Sequence, residues 1–297
     1  VVELEDLGRA KQGEGVDVES LRLTARRIRR HILTLVHHAG TGHLGGPLSA
    51  VEILTELYFH ELRIDPRDPG NPERDRFILS KGHSSPALYA ALAERGYFPV
   101  EELLTFDAEG SRLQGHPDMK LTPGVDMSTG SLGQGLSAGA GFAMSAQLRD
   151  GDYRTYVLLG DGECQEGQVW EAAMVAARYG LSNLCAIVDW NGLQQYGWAT
   201  SDPAKRRTPV DDLGAKWAAF GWWVVELDGH DFPSVQRALS EARGRRDRPT
   251  VLLARTTKGK GVSFMEGDYK WHAHPLNDED FASALSEVNG PSFRRDK

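Results

Sequence analysis

Thr155-Tyr156-Val157-Leu158-Leu159-Gly160-Asp161-Gly162 is an apolar run closed by a Gly-Asp-Gly turn. Consecutive apolar residues that stop at two glycines read as a buried strand ending in a tight turn, which puts Asp161 at a strand tip. Beyond it Val169, Ala172, Ala173, Ala176 and Ala177 recur at helical spacing up to Gly180. Leu184 to Val188 then make a second apolar strand that ends at Asp189-Trp190-Asn191-Gly192. Strand, helix and strand in this order form a βαβ unit. The expected fold is α/β, a mostly parallel sheet with helices on both faces.

A right-handed parallel crossover brings both strands out at one edge, so Asp161 and Asn191 meet at the carboxyl edge, where open α/β sheets bind ligands. A carboxylate and an amide oxygen are hard donors suited to Mg2+, with phosphate oxygens and water filling its other positions. The turn glycines let backbone N–H groups approach an anion, and the next helix adds its amino end. A metal-bridged diphosphate is the expected ligand. Alone, Gly-Asp-Gly and Asn-Gly are ordinary turns; their placement at successive strand ends gives them chemical meaning.

Composition agrees with one large domain. With 297 residues and 40% hydrophobic content, the chain can bury a full core. A net charge of −8 without a basic stripe argues against nucleic acid or an anionic membrane as main partner. The two cysteines, Cys164 beside the turn and Cys185 in a strand, imply no disulfide framework. No apolar run approaches the ~20 residues of a membrane span and no signal segment opens the chain, so a soluble cytoplasmic protein is expected. The patternless residues 1–17 read as an arm, 18–276 as the domain and 277–297 as a C-terminal tail.

Several histidines sit on rigid backbone. Leu21, Ala25, Ile28, Ile32, Leu35 and Val36 mark one face of a helix that stops before Gly40, and the arginines largely opposite read as solvated. The glycine-dense loop Gly40-Thr41-Gly42-His43-Leu44-Gly45-Gly46-Pro47 presents His43 before a helix that Ser49 is expected to begin. Arg76 to Ser80 reads as a strand, after which Lys81-Gly82-His83 lies at a junction with a helix carrying Pro86 in its first turn. His116 is held between Gly115 and Pro117. Gly130-Ser131-Leu132-Gly133-Gln134-Gly135 has the wrong spacing for a dinucleotide fingerprint and opens a small-residue helix from Leu136 to Ala146, suggesting close helix packing. Trp222 to Leu227 is a further strand, and Asp228-Gly229-His230-Asp231 a structural turn with Asp231 capping a helix from Phe232 to Arg243. The strand Thr250 to Thr256 leads to Thr257-Lys258-Gly259-Lys260-Gly261 and then Trp271-His272-Ala273-His274-Pro275-Leu276.

Gly160-Asp161-Gly162-Glu163-Cys164-Gln165-Glu166-Gly167, followed by Asp189-Trp190-Asn191-Gly192-Leu193-Gln194, resembles the thiamine diphosphate fingerprint as transketolases carry it. Gly42-His43, Lys81-Gly82-His83 and Trp271-His272 fit the same family in order, from Val18 to Leu276, although Leu44 stands where that family often has Pro. The resemblance implies transfer of a two-carbon ketol unit from a ketose to an aldose, with the cofactor as electron sink. It implies Mg2+, or Ca2+ or Mn2+ as substitutes, on Asp161, Asn191 and the Leu193 carbonyl. Lys81, His83, Gly130, Leu132, Gly160, Gly162, Glu163, Lys258 and His272 would surround the cofactor. His43, His116 and His272 would polarise or move protons at donor hydroxyls, with His272 preferred to His274, and Glu166 would join a carboxylate relay between two chains. Transketolases complete the site with a second domain, so a separate pyrimidine-binding subunit is expected, in an α2β2 heterotetramer. The alternatives are two-carbon transfer to another acceptor, such as a carrier-protein thiol, and a non-catalytic regulatory or scaffold subunit. Deoxyxylulose phosphate synthases and 2-oxo-acid dehydrogenase alpha subunits share the fingerprint but fit the histidine motifs less well.

Overall fold

Tyr156 to Leu159 lie inside a parallel sheet. The computed structural model describes residues 17–195 and 212–290, so residues 1–16 of the arm and 291–297 of the tail lie outside the described residues. Among those described, β1 (Arg76–Leu79), β2 (Thr155–Gly160), β3 (Leu184–Trp190), β4 (Trp223–Asp228) and β5 (Thr250–Arg255) form one sheet. Its spatial order is β1-β2-β3-β5-β4, and every pairing is parallel.

Alternation along the strands divides the core in two. Tyr156, Leu158, Cys185, Ile187, Leu252 and Ala254 point to one face, where they pack with α1 (Val18–Ala39), α3 (Val51–Glu56), α4 (Ser85–Arg95) and α8 (Phe232–Gly244). Val157, Leu159, Ala186, Val188, Val251 and Leu253 point to the other, under α5 (Gln134–Leu148), α6 (Gly167–Arg178) and α7 (Leu213–Ala219). Covering both faces is what makes these strands continuously apolar rather than alternating.

Local chemistry sets the ends. Asp17 accepts the Glu19 N–H at the start of α1, and Gly40 closes it at φ 66°. Small residues let α5 lie close on the sheet: a Cβ at Gly139 would collide with Val157, and one at Gly135 with Ser80. Trp222 falls just outside β4, because its backbone N–H turns back to the Trp217 carbonyl at 3.2 Å, while its indole N–H donates to the Ala173 carbonyl at 2.9 Å. Thr256 likewise lies past β5, its hydroxyl donating to Asp189. Ser49 ends the short helix α2 (Gly45–Ser49) instead of beginning one, and it too donates to Asp189, at 2.6 Å.

The largest difference from the sequence reading is in 277–297, where a tail is expected. Asn277 caps α9 (Asp278–Asn289) by accepting the Asp280 N–H at 2.8 Å, and α9 lies on α1 through buried Ala284 and Val288. Phe281 stacks on His37 with centroids 4.0 Å apart, and Arg26 donates to the Gly290 carbonyl. No helix among the described residues is long and apolar enough to cross a membrane.

Candidate active site

Parallel register aligns the strand tips. Gly160 pairs with Asp189 and Trp190 with Arg255, so Asp161, Asn191 and Thr256 emerge side by side. A cavity of about 390 Å³ opens there. Of the residues expected at the site, His43, Lys81, His83, Gly130, Leu132, Gly160, Asp161, Gly162, Glu163, Asn191, Leu193, Lys258 and His272 line it, as do Gly46, Asp189, Gln194 and Gln195.

Asp161 is buried with two backbone donors: Gly162 N–H at 2.7 Å and Gly192 N–H at 2.6 Å. Burial, and then the negative charge of Asp189, push its carboxyl up to about 6. The site therefore disfavours this anion unless a cation joins it. Among the described residues no group of three His, Cys, Asp or Glu side chains could hold a metal. A cation here would rest on the Asp161 carboxylate with the neutral oxygens of Asn191 and Leu193, and would take its other ligands from a bound diphosphate and water. The donor set fits Mg2+, and the buried Gln194 amide nitrogen beside Gly162, without a partner among the described residues, supplies a free donor for an anion.

Three imidazoles cluster opposite. The ring centroids of His43, His83 and His272 lie 5.0–5.2 Å apart. Burial depresses all three, to about 4 for His43, about 2 for His83 and about 3 for His272, helped by Lys258 in each case. They are neutral at pH 7, each with one ring N–H and one bare nitrogen. Lys258 Nζ donates to His272 Nδ1 at 2.8 Å, which leaves Nε2 as that ring's N–H. The same ammonium reaches the Leu193 and Gln194 carbonyls at 3.3 and 3.1 Å, and burial lowers it to about 8.

Some expected ligands turn inward. Both Glu163 oxygens are engaged within the protein, by Ser80 Oγ, Gly133 N–H and Gly160 N–H at 2.5–3.0 Å, so this side chain ties three loops together. Lys81 is held by Asp189 at 2.5 Å and by the Gly46 carbonyl at 2.9 Å. Burial opposes charge on Asp189, yet Lys81 and the Ser49 and Thr256 hydroxyls outweigh it and keep that carboxyl below the usual range. His116 is exposed outside the cavity lining, its ring against Gly130, and Glu166 is exposed beside Gly133. His274 is also exposed and lies edge-on to Trp271. In the Asp-Gly-His-Asp turn, Asp231 caps α8 through Ser234 N–H, while His230 bridges Glu52 and the Thr257 N–H. Sequence reasoning places Asp189 only within a turn and gives Ser49 and Thr256 no site role. Their partners are far away in the chain, and no local pattern marks a buried ion pair.

The family described as transketolase, thiamine diphosphate binding domain, matches residues 21–290. The 6-deoxy-6-sulfo-D-fructose transketolase subunit SqwG of Clostridium sp. (strain MSTE9) is 44% identical over 268 residues, covering 90% of this chain and 96% of that protein. An apulose-4-phosphate transketolase subunit of Phocaeicola vulgatus is 41% identical over 274 residues, covering 92% and 95%. Among solved structures, the transketolase of Campylobacter jejuni superposes with a TM-score of 0.82 at 32% identity. That match covers 92% of this chain but 43% of the other, so the chain spans less than half of that transketolase.

Proposed function

Because the chain belongs to the transketolase family, whose members are thiamine diphosphate-dependent transferases, through that family's thiamine diphosphate binding domain, we propose that it is the diphosphate-binding subunit of a two-chain transketolase. The reaction is transfer of a two-carbon ketol unit from a ketose or ketose phosphate to an aldose. The observation that carries this reading is the joint placement of Asp161, Asn191, Leu193 and three neutral imidazoles around one cavity. Two relatives named as transketolase subunits, each matched over almost its whole length, support the two-chain part.

Thiamine diphosphate, when bound, supplies the electron sink for the pair released as the ketose carbon–carbon bond breaks. The chain's own part is to bind, orient and move protons. Asp161, Asn191 and the Leu193 carbonyl hold Mg2+, and Gly162 and His83 support the diphosphate. Lys258 keeps the His272 N–H on Nε2. His43 and His272 exchange protons with donor hydroxyls, and His116 does so from the rim. Glu166, exposed beside the glycine loop, is free to meet a second chain, and Leu148, Met174, Val175 and Tyr179 on and beside α5 and α6 give that chain an apolar face.

The test is ketol transfer from a ketose phosphate to an aldose phosphate, by the purified chain alone and with a separately produced pyrimidine-binding subunit. Turnover only in the mixture is expected. Full turnover by the single chain would sink the two-chain reading.

A further inference from the structure

A buried ion pair beneath the cavity has a geometry that stability does not explain. Lys81 and Asp189 are 2% and 1% exposed and 2.5 Å apart. Such a pair is weak support for a fold, since apolar side chains of similar volume often serve as well or better. Its placement says more. Asp189 Oδ2 accepts from Lys81, from Ser49 Oγ at 2.6 Å and from Asn191 Nδ2 at 3.3 Å, while Oδ1 takes the Thr256 hydroxyl. Lys81 donates onward to the Gly46 carbonyl. One carboxylate, with Lys81, thus joins the ends of β1, β3 and β5 to α2, the short helix that follows His43.

Resting on the reading of Asn191 as a metal ligand, we propose that the Lys81–Asp189 pair is a positioning device that fixes which end of the Asn191 amide faces the cavity. An amide has one accepting and one donating end. With Nδ2 held by the carboxylate, Oδ1 is turned the other way, where it also accepts the Leu193 N–H at 3.0 Å. A flipped amide would set its oxygen against the Asp189 carboxylate and offer N–H groups to a cation, which is repulsive at both ends. Asp189 therefore sets metal affinity without touching the metal. Lys81 spends two of its three N–H groups on Asp189 and the Gly46 carbonyl and contributes its field to the cavity from below.

The experiment is Mn2+ titration, read as free Mn2+ by electron paramagnetic resonance, with saturating thiamine diphosphate and the chain in its active assembly. It compares wild type, Asp161→Ala and the double variant Lys81→Met with Asp189→Leu, and records melting of each metal-free protein. Wild type binds, Asp161→Ala does not, and the double variant binds Mn2+ at least about tenfold more weakly, the scale of lost outer-sphere support. Its metal-free melting stays near wild type. A pair with a merely structural role would instead lower melting with and without metal and leave the Mn2+ dissociation constant alone. Unchanged Mn2+ affinity in the folded double variant overturns the proposal. Absence of Mn2+ binding by wild type would instead remove the reading of Asn191 beneath it. Should the double variant not fold, Thr256→Val removes one donor to the same carboxylate. Several-fold weaker Mn2+ binding then supports the proposal, and unchanged binding overturns it.

Discussion

The three cavity histidines cost the fold something in acid. Half-buried and neutral, they bind fewer protons than the unfolded chain, whose imidazoles titrate near 6.5, so the unfolded state gains stability as pH falls. Stability should therefore be highest above pH 6.5 and drop from there toward the folded value of about 4 for His43, with His83 and His272 extending the drop further. His83→Gln removes the most strongly depressed of these groups, and its melting temperature should fall less steeply than wild type between pH 6.5 and 4. Parallel curves from calorimetric scans would contradict the assignment. At this scale the site's membership is legible in the chain but its orientation is not. His43 lies on a glycine-rich loop and His83 just past a strand end, while His272 is marked only by the Trp271-His272 pair. That Glu163 and Lys81 face inward depends on Ser80, Gly133 and Asp189, which only folding brings near.

Among the elements, α5 offers a test of sign. Gly139 faces Val157 with no room for a methyl group, whereas Gly141 is exposed with no atom within 4 Å of an added Cβ. Helix propensity favours alanine by about 1 kcal/mol at both sites. At Gly139 overpacking costs about 1–3 kcal/mol against that gain. In denaturant unfolding of the isolated chain, Gly141→Ala should stabilise by up to about 1 kcal/mol and Gly139→Ala should destabilise. Stabilisation by both would mean α5 does not lie as close to the sheet as described. The long apolar strands are legible because a sheet covered on both faces needs uninterrupted apolar runs, as in Tyr156 to Leu159 and Leu184 to Val188. Helix α9 is written there as well: Phe281, Ala284, Leu285 and Val288 recur at i, i+3, i+4 and i+7 behind the Asn277 cap and pack on α1, a period that reading 277–297 as a tail passes over.

For the whole molecule, the proposed metal-and-diphosphate half-site lies at the carboxyl edge, and the proposed contact with a second chain falls on the exposed face of α6 that carries Met174, 50% exposed, and Val175, 43% exposed. Val175→Asp places a charge on that face. It should shift the assembly toward free chains in light scattering while leaving melting of the isolated chain within a degree or two, and an unaltered assembly would place the partner elsewhere. The second chain follows from relatives named as subunits, not from this sheet, and the sugar is likewise not written in these residues. We assign a metal-dependent cofactor site to the tips of β2 and β3. It is tested most directly by calorimetric titration of thiamine diphosphate into wild type and Asp161→Ala, each with Mg2+ and with EDTA, alone and with the pyrimidine-binding subunit. Binding should require both Mg2+ and Asp161 and tighten with the second subunit. Binding that persists in EDTA or in Asp161→Ala, or no binding by the folded pair of chains, would contradict it.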